Sequence, residues 1–249
     1  MKKLSVFAML CMVWLLINCS KSDNALAASD GAGGSTARMT IAGNYLYVVT
    51  QYKLQVYDIS DPEKTVLLNG QSVGWNVETI FPYRDKLFIG SQTGMFVYDI
   101  SNPKDPKLQG QVQHIRACDP VVAEDDYAYV TLRNNNVTCG GTQNELNIYD
   151  IIGTNVLTPK LIGNLGLPEP HGLGYKGNIL YVCCGRNGLY IVDIEDKNNP
   201  REVKRIDTGE DFVDVIPYGD LLIAYIQGGI ILYDITDSRS PQKLSAINQ

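Results

Sequence analysis

A five-fold recurring phrase constrains this chain more than any other feature. It reads Val56-Tyr57-Asp58-Ile59-Ser60-Asp61-Pro62, then Val97-Tyr98-Asp99-Ile100-Ser101-Asn102-Pro103. Shorter copies follow at Ile148-Tyr149-Asp150-Ile151, Ile191-Val192-Asp193-Ile194 and Leu232-Tyr233-Asp234-Ile235-Thr236-Asp237. From Asp58 to Asp234 the recurrent aspartates are spaced by 41, 51, 43 and 41 residues. Units of that length, built from short β-rich runs, predict a β-propeller.

The second repeat sets the pattern. Val77 to Tyr83 reads as a first strand, Leu87 to Gly90 as a second, Met95 to Ile100 as a third and Lys107 to Val112 as a fourth. Polar and proline-containing turns separate them, and proline cannot donate to a strand ladder. Tyr45–Val48, Tyr127–Val130, Ile179–Val182 and Leu221–Ala224 match as second strands. Their aromatic and branched residues suit sheets covered on both faces. No helical periodicity follows residue 18. The expected fold is all-β, a propeller of about five four-stranded blades over 36–249. The repeats fall near 36–76, 77–116, 117–169, 170–210 and 211–249, about 41 residues per blade without the third blade's insert. Each recurrent Asp is expected to accept hydrogen bonds from the turn that follows it.

The N-terminus carries a different message. Lys2 and Lys3 precede an almost wholly apolar run from Leu4 to Ile17, the layout of a secretory signal over 1–18. Leu16-Ile17-Asn18-Cys19 resembles the lipobox of bacterial lipoproteins, which implies acylation of Cys19. Asn18 departs from the small residue usual there. Residues 19–35 are rich in Ser, Ala, Gly and Asp and read as a flexible tether. The expected location is the bacterial cell envelope, at the outer membrane or cell surface. The lipid bilayer is then a partner through Cys19, since two or more acyl chains anchor stably where one does not. Loss of Lys2 and Lys3 with the signal takes the formal net charge from −6 to −8. With no basic run, that balance argues against nucleic acid as a partner.

Several phrases resemble the LVIVD repeat of bacterial β-propeller lipoproteins and surface proteins. Cys118-Asp119-Pro120-Val121-Val122, Ala128 to Arg133, Cys139-Gly140-Gly141 and Asn144-Glu145-Leu146 look like one family block. Pro170-His171-Gly172-Leu173-Gly174 with Leu180 to Cys183 looks like the next. The resemblance implies a fold and a surface location without an established reaction. Two departures stand out. Cys184 occupies a position where the family often has Asp, and members tend to carry further repeats. Five repeats either close a ring, the favoured expectation, or leave an incomplete one that pairs with another copy.

In a propeller the first strands line the channel, and the loops entering them share a face with the loops joining strands two and three. Counting back from each second strand places Ala37, Glu78, Cys118, His171 and Phe212 around one mouth, with Asp119 and Asp214 close by. The insert from Leu132 to Glu145, which carries Arg133, Cys139 and Asn144, emerges on that face. So do Cys183, Cys184 and Arg186. Glu78, Asp119, Arg133, Asn144, His171, Cys183, Cys184, Arg186 and Asp214 therefore form the candidate binding mouth.

Each has a plain structural alternative. Cys118 and Cys139 are most simply a disulfide stapling the insert, worth about 3 kcal/mol by loop entropy. Cys183 and Cys184 alternate faces on a strand and do not readily bond each other, so one reads as a small buried hydrophobe. His171 reads first as a hydrogen-bonded structural side chain, and Arg133 as part of a salt-bridge network. A metal held by His171, a Cys and an acid such as Asp119 is the less favoured alternative, and no catalytic residue or cofactor is assigned.

Three functions compete. The favoured one is a non-enzymatic binding or interaction module, with a protein, glycan or small molecule at one channel mouth. A metal-assisted hydrolase or lactonase-like propeller would have to draw on Glu78, Asp119, His171 and Asp214. A structural subunit of an envelope complex is the third.

Overall fold

The computed structural model describes residues 34–113, 120–134 and 143–248. The predicted signal, Cys19, most of the tether, Cys118, Asp119 and Cys139 lie outside the described residues.

The repeat folds as expected into five four-stranded antiparallel sheets, each built from consecutive strands. The first contains β1 (Met39–Ala42), β2 (Tyr45–Val49), β3 (Lys53–Asp58) and β4 (Val66–Ser72). The second contains β5 (Val77–Tyr83), β6 (Lys86–Ser91), β7 (Gly94–Asp99) and β8 (Lys107–Gln113). The third contains β9 (Val121–Glu124), β10 (Tyr127–Leu132), β11 (Glu145–Asp150) and β12 (Lys160–Gly166). The fourth contains β13 (Leu173–Lys176), β14 (Ile179–Cys183), β15 (Leu189–Asp193) and β16 (Arg201–Ile206). The fifth contains β17 (Phe212–Tyr218), β18 (Leu221–Ile226), β19 (Gly229–Asp234) and β20 (Gln242–Asn248). Among the described residues, helix is confined to short 3₁₀ turns at Pro62–Lys64 and Gly153–Leu157.

The recurrent Asp does in every sheet what its position at a strand end suggests. Asp58, Asp99, Asp150, Asp193 and Asp234 each accept the amide two residues on, with N–O distances of 2.9, 2.8, 2.8, 3.0 and 2.7 Å. The carboxylate satisfies a donor that the turn leaves unpaired. Just before each Asp the ladder to the fourth strand slips by one residue, at Val56/Tyr57, Val97/Tyr98, Ile148/Tyr149, Ile191/Val192 and Leu232/Tyr233. Such bulges increase local twist.

Packing between sheets is apolar and register-matched. Four core clusters lie between sheets one and two, two and three, three and four, and four and five. Matched tyrosines reach across two of these junctions. Tyr47 Oη donates to the Pro103 carbonyl and Tyr181 Oη to that of Ser238, both at 3.0 Å.

The seam between the fifth and first sheets is different. Leu87, Ala128, Leu180 and Leu222 face the preceding sheet and are fully buried, whereas the matching Leu46 of the first sheet is half-buried. Tyr47, Phe88, Tyr129 and Tyr181 face the following sheet and are buried, whereas the matching Ile223 is half-buried. Two positions along from these, Val49, Gly90, Thr131 and Cys183 are buried, whereas Tyr225 is 52 % exposed. On the first sheet's seam face, Met39 and Ile41 are 64 and 48 % exposed.

The favoured expectation of a closed five-blade ring is thus corrected. Among the described residues the first and fifth sheets leave these facing sides partly exposed. What crosses it is polar. Asp214 on β17 accepts from Ser35 Oγ at 3.1 Å, Thr36 N at 3.2 Å and Thr36 Oγ at 2.6 Å. Ser35 Oγ in turn accepts the Leu173 amide at 2.7 Å, and the Ala37 carbonyl accepts the Ile80 amide at 2.9 Å. The segment entering β1 therefore ties the second, fourth and fifth sheets together.

Candidate functional site

One mouth of the channel holds a polar cavity of about 340 Å³. Glu78, Arg133 and His171 line it, with Thr36, Arg38, Thr79, Pro120, Gly172 and Val213. Three residues expected there from the sequence are thus brought together.

Local irregularity puts two of the lining residues in place. The ladder between β5 and β6 slips between Val77 and Thr79, so Glu78 is the extra residue of a bulge. The ladder between β17 and β18 slips between Phe212 and Asp214, which makes Val213 the extra residue. A bulge re-aims one side chain out of the alternating pattern. Here that side chain faces the channel, while Phe212, the residue expected at this mouth, is fully buried in the core between the fourth and fifth sheets. His171 is held by its backbone. Its amide donates to the Cys183 carbonyl at 2.6 Å and its carbonyl accepts Thr131 Oγ at 2.6 Å.

Burial sets the electrostatics. His171 is pushed down to about 4, chiefly by burial and then by the Arg133 charge, so the imidazole is neutral at physiological pH. Arg133 Nη1 lies 3.3 Å from His171 Nε2. Arginine only donates, so Nε2 accepts and the imidazole proton sits on Nδ1. Burial also lowers the Arg133 pKa, opposed by Glu78, Glu169 and Asp211. Burial raises the Glu78 carboxyl, opposed by the Gln92 hydrogen bond and by Arg133 and Arg38. Arg133 Nε is buried, and among the described residues no acceptor meets it. A buried cationic donor without an acceptor is costly and uncommon.

The other expected mouth residues stand apart from the cavity lining. Asn144 accepts the Asn134 amide through Oδ1 at 2.8 Å and so braces the base of the insert. Cys183 and Cys184, at and just after the end of β14, are free thiols, both fully buried, one in the core on each side of the fourth sheet. Burial raises both thiol pKa values, which disfavours thiolate chemistry. Arg186 is exposed, 3.9 Å from Asp211. Asp214 is buried in the seam. Among the described residues no three His, Cys, Asp or Glu side chains gather closely enough to hold a metal ion.

Two features escaped the sequence reading. Arg38 joins the lining from the start of β1. Trp75 and Tyr52 form an edge-on pair at 5.2 Å in the loops leading into β5 and joining β2 to β3. The signal for the pair was the placement of two large aromatics in polar turns.

The sheets and their mouth define the class, a propeller-like all-β repeat protein with a polar channel opening. The chain carries LVIVD repeats, the model of that repeat matching residues 33–69, 85–114 and 173–208. No curated protein matches the chain in sequence. Among solved structures it is similar to the computationally designed Ika8 protein (TM-score 0.62, 13 % identity, covering 84 % of this chain and 60 % of that one). It is similar to a protein from Lactobacillus plantarum (TM-score 0.69, 12 % identity, 91 % and 73 %). The periplasmic gluconolactonase of Pseudomonas aeruginosa is also similar (TM-score 0.64, 15 % identity, 83 % and 68 %). At such identities the likeness is one of fold alone. The chain spans 60 to 73 % of the length of these structures.

Proposed function

We propose that the protein is an envelope lipoprotein, anchored through acylated Cys19, whose β-propeller is a non-enzymatic binding module with its ligand site at the Glu78–Arg133–His171 mouth. The observation that carries the ligand site is the Arg133 guanidinium. It lines a 340 Å³ cavity, its buried Nε has no acceptor among the described residues, and its neighbour His171 is neutral. A ligand carboxylate in the cavity would pair with the guanidinium, whose donors form the fork that carboxylates match. The disulfide between Cys118 and Cys139 belongs to the same proposal, as a staple for the insert that begins beside Arg133.

Acetate, citrate and gluconate are suitable probes by thermal shift and calorimetry. At least one is expected to bind, and Arg133→Ala to weaken it by roughly 10- to 100-fold, as loss of a charge-assisted hydrogen bond implies. Binding that is indifferent to Arg133 would overturn the site. For the anchor, Cys19→Ser is expected to shift the protein from the membrane fraction to the soluble exported fraction. Retention of that variant on membranes would refute acylation.

A further inference from the structure

The loop that carries Trp75 is built to hold a large aromatic out of the core. Gly74 and Asn76, on either side of it, both have positive φ, +26° and +49°. The first is glycine for a second reason, since a Cβ there would come within 2.6 Å of the Phe96 ring. Two successive departures from ordinary backbone make a tight kink, and strain of this kind persists only where surrounding structure holds it. That hold is visible. The Val73 amide donates to the Tyr52 carbonyl at 2.9 Å and the Val77 amide to the Gln51 carbonyl at 3.0 Å. The kink leaves the Trp75 indole 58 % exposed, edge-on to a Tyr52 that is itself 42 % exposed.

This platform is continuous with the mouth. Asn76 Nδ2 donates to Gln92 Oε1 at 2.9 Å, and Gln92 Nε2 donates to Glu78 Oε1 at 3.2 Å. Glu78 lines the cavity with Arg133 and Arg38. An exposed aromatic pair is thus linked, through Asn76 and the buried Gln92 amide, to the Glu78 carboxylate of a cavity that two guanidinium groups also line. Flat apolar rings offer a surface to the C–H faces of a pyranose. Carboxylate and guanidinium groups match the paired hydroxyls around its edge. The two cations at the inner end, opposed there by Glu78, call for an anionic group on the same ligand.

We infer that the mouth binds an acidic oligosaccharide of the uronic-acid type, with a sugar ring on Trp75 and Tyr52 and a carboxylate in the cavity at Arg133 and Arg38. This rests on the reading of the mouth as a ligand site and adds the class of ligand and a second contact area.

Trp75 is also a built-in reporter, because the chain's other tryptophan, Trp14, lies in the predicted signal. Trigalacturonate titrated into the full chain in detergent is expected to change Trp75 fluorescence and to bind measurably by calorimetry. Trp75→Ala should weaken binding about tenfold or more, and Trp75→Tyr should recover most of it. Maltotriose, the neutral control, should bind at least tenfold more weakly than trigalacturonate.

Trigalacturonate binding unaffected by Trp75→Ala would overturn the platform, as would equal binding of maltotriose for the acidic ligand. If trigalacturonate fails while citrate or gluconate binds through Arg133, the saccharide inference falls and the mouth remains a small-anion site. If a proline-rich peptide binds through Trp75 and trigalacturonate does not, the platform is a peptide site and the inference is again wrong. Failure of every probe in a protein with a normal unfolding transition would remove both readings.

Discussion

Ile231→Ala is expected to destabilise the protein by about 2 to 5 kcal/mol in urea unfolding, and Ile223→Ala by about 1 kcal/mol or less. The two residues sit on neighbouring strands of the fifth sheet and undergo the same chemical change. They differ in the face they occupy. Ile231 is buried in the core shared with the fourth sheet. Ile223 points to the seam beside exposed Tyr225 and keeps part of its surface in water. Truncating a buried side chain removes transfer free energy and leaves a cavity, whereas a side chain already half in solvent has less of both to lose. Equal costs at the two positions would mean that the seam is covered in solution, by closure of the arc or by another copy. The concentration dependence of the midpoint would then separate those two cases.

Asp214→Ala carries the other large effect, a loss of about 2 to 4 kcal/mol. The carboxylate accepts from Ser35, from both the amide and hydroxyl of Thr36, and from the Val215 amide at 2.9 Å. Its removal leaves the buried Ser35 hydroxyl and Val215 amide without this acceptor and releases the exposed Thr36. The damage should be local before it is global. Hydrogen exchange is expected to quicken at the Leu173 and Ile80 amides, whose acceptors are Ser35 Oγ and the Ala37 carbonyl. Unchanged protection at both amides would show that the entering segment is held by something else.

The pH dependence of the same group has a definite sign. Burial raises the Asp214 carboxyl above its ordinary value, against the pull of its hydrogen bonds from Thr36, Val215 and Ser35. A raised folded-state value means that its contribution is fully present below the unfolded carboxylate pKa, near 3.9, and is lost as pH rises through the folded value. Asp214→Asn should abolish that loss. The difference in stability between wild type and this variant should therefore change across the window just above pH 4, and a difference constant with pH would contradict the assignment.

Much of the fold was legible in the residues. Each recurrent Asp sits where a strand must end and a turn begins, and its role depends only on the two residues that follow, so local chemistry sufficed. The near-continuous apolar runs of the second strands likewise implied sheets covered on both faces. Glu78 and His171 could be placed at one mouth because strand registers count reliably from one repeat to the next. The count missed by one at Phe212 because Leu222, not Leu221, is the counterpart of Leu87; β5 and β17 carry the same bulge, and the equivalent of Glu78 is Val213. Trp75 went unrecognised because its exposure depends on a kink between Gly74 and Asn76 and on contact with Tyr52, which is distant along the chain.

The repeat by itself determined the number of sheets, their antiparallel order and the residues that pack between neighbours, because these follow from side-chain alternation and short turns. Whether the fifth sheet meets the first was decided only in three dimensions. Leu46, Val48 and Ile223 are as apolar as their counterparts in the other sheets, so nothing in their identity marks them as facing a gap. The angle between successive sheets accumulates from every bulge, twist and packed side chain around the arc. That sum, together with the Asp214 clasp near the axis, sets how far apart the end faces lie. No single repeat contains it.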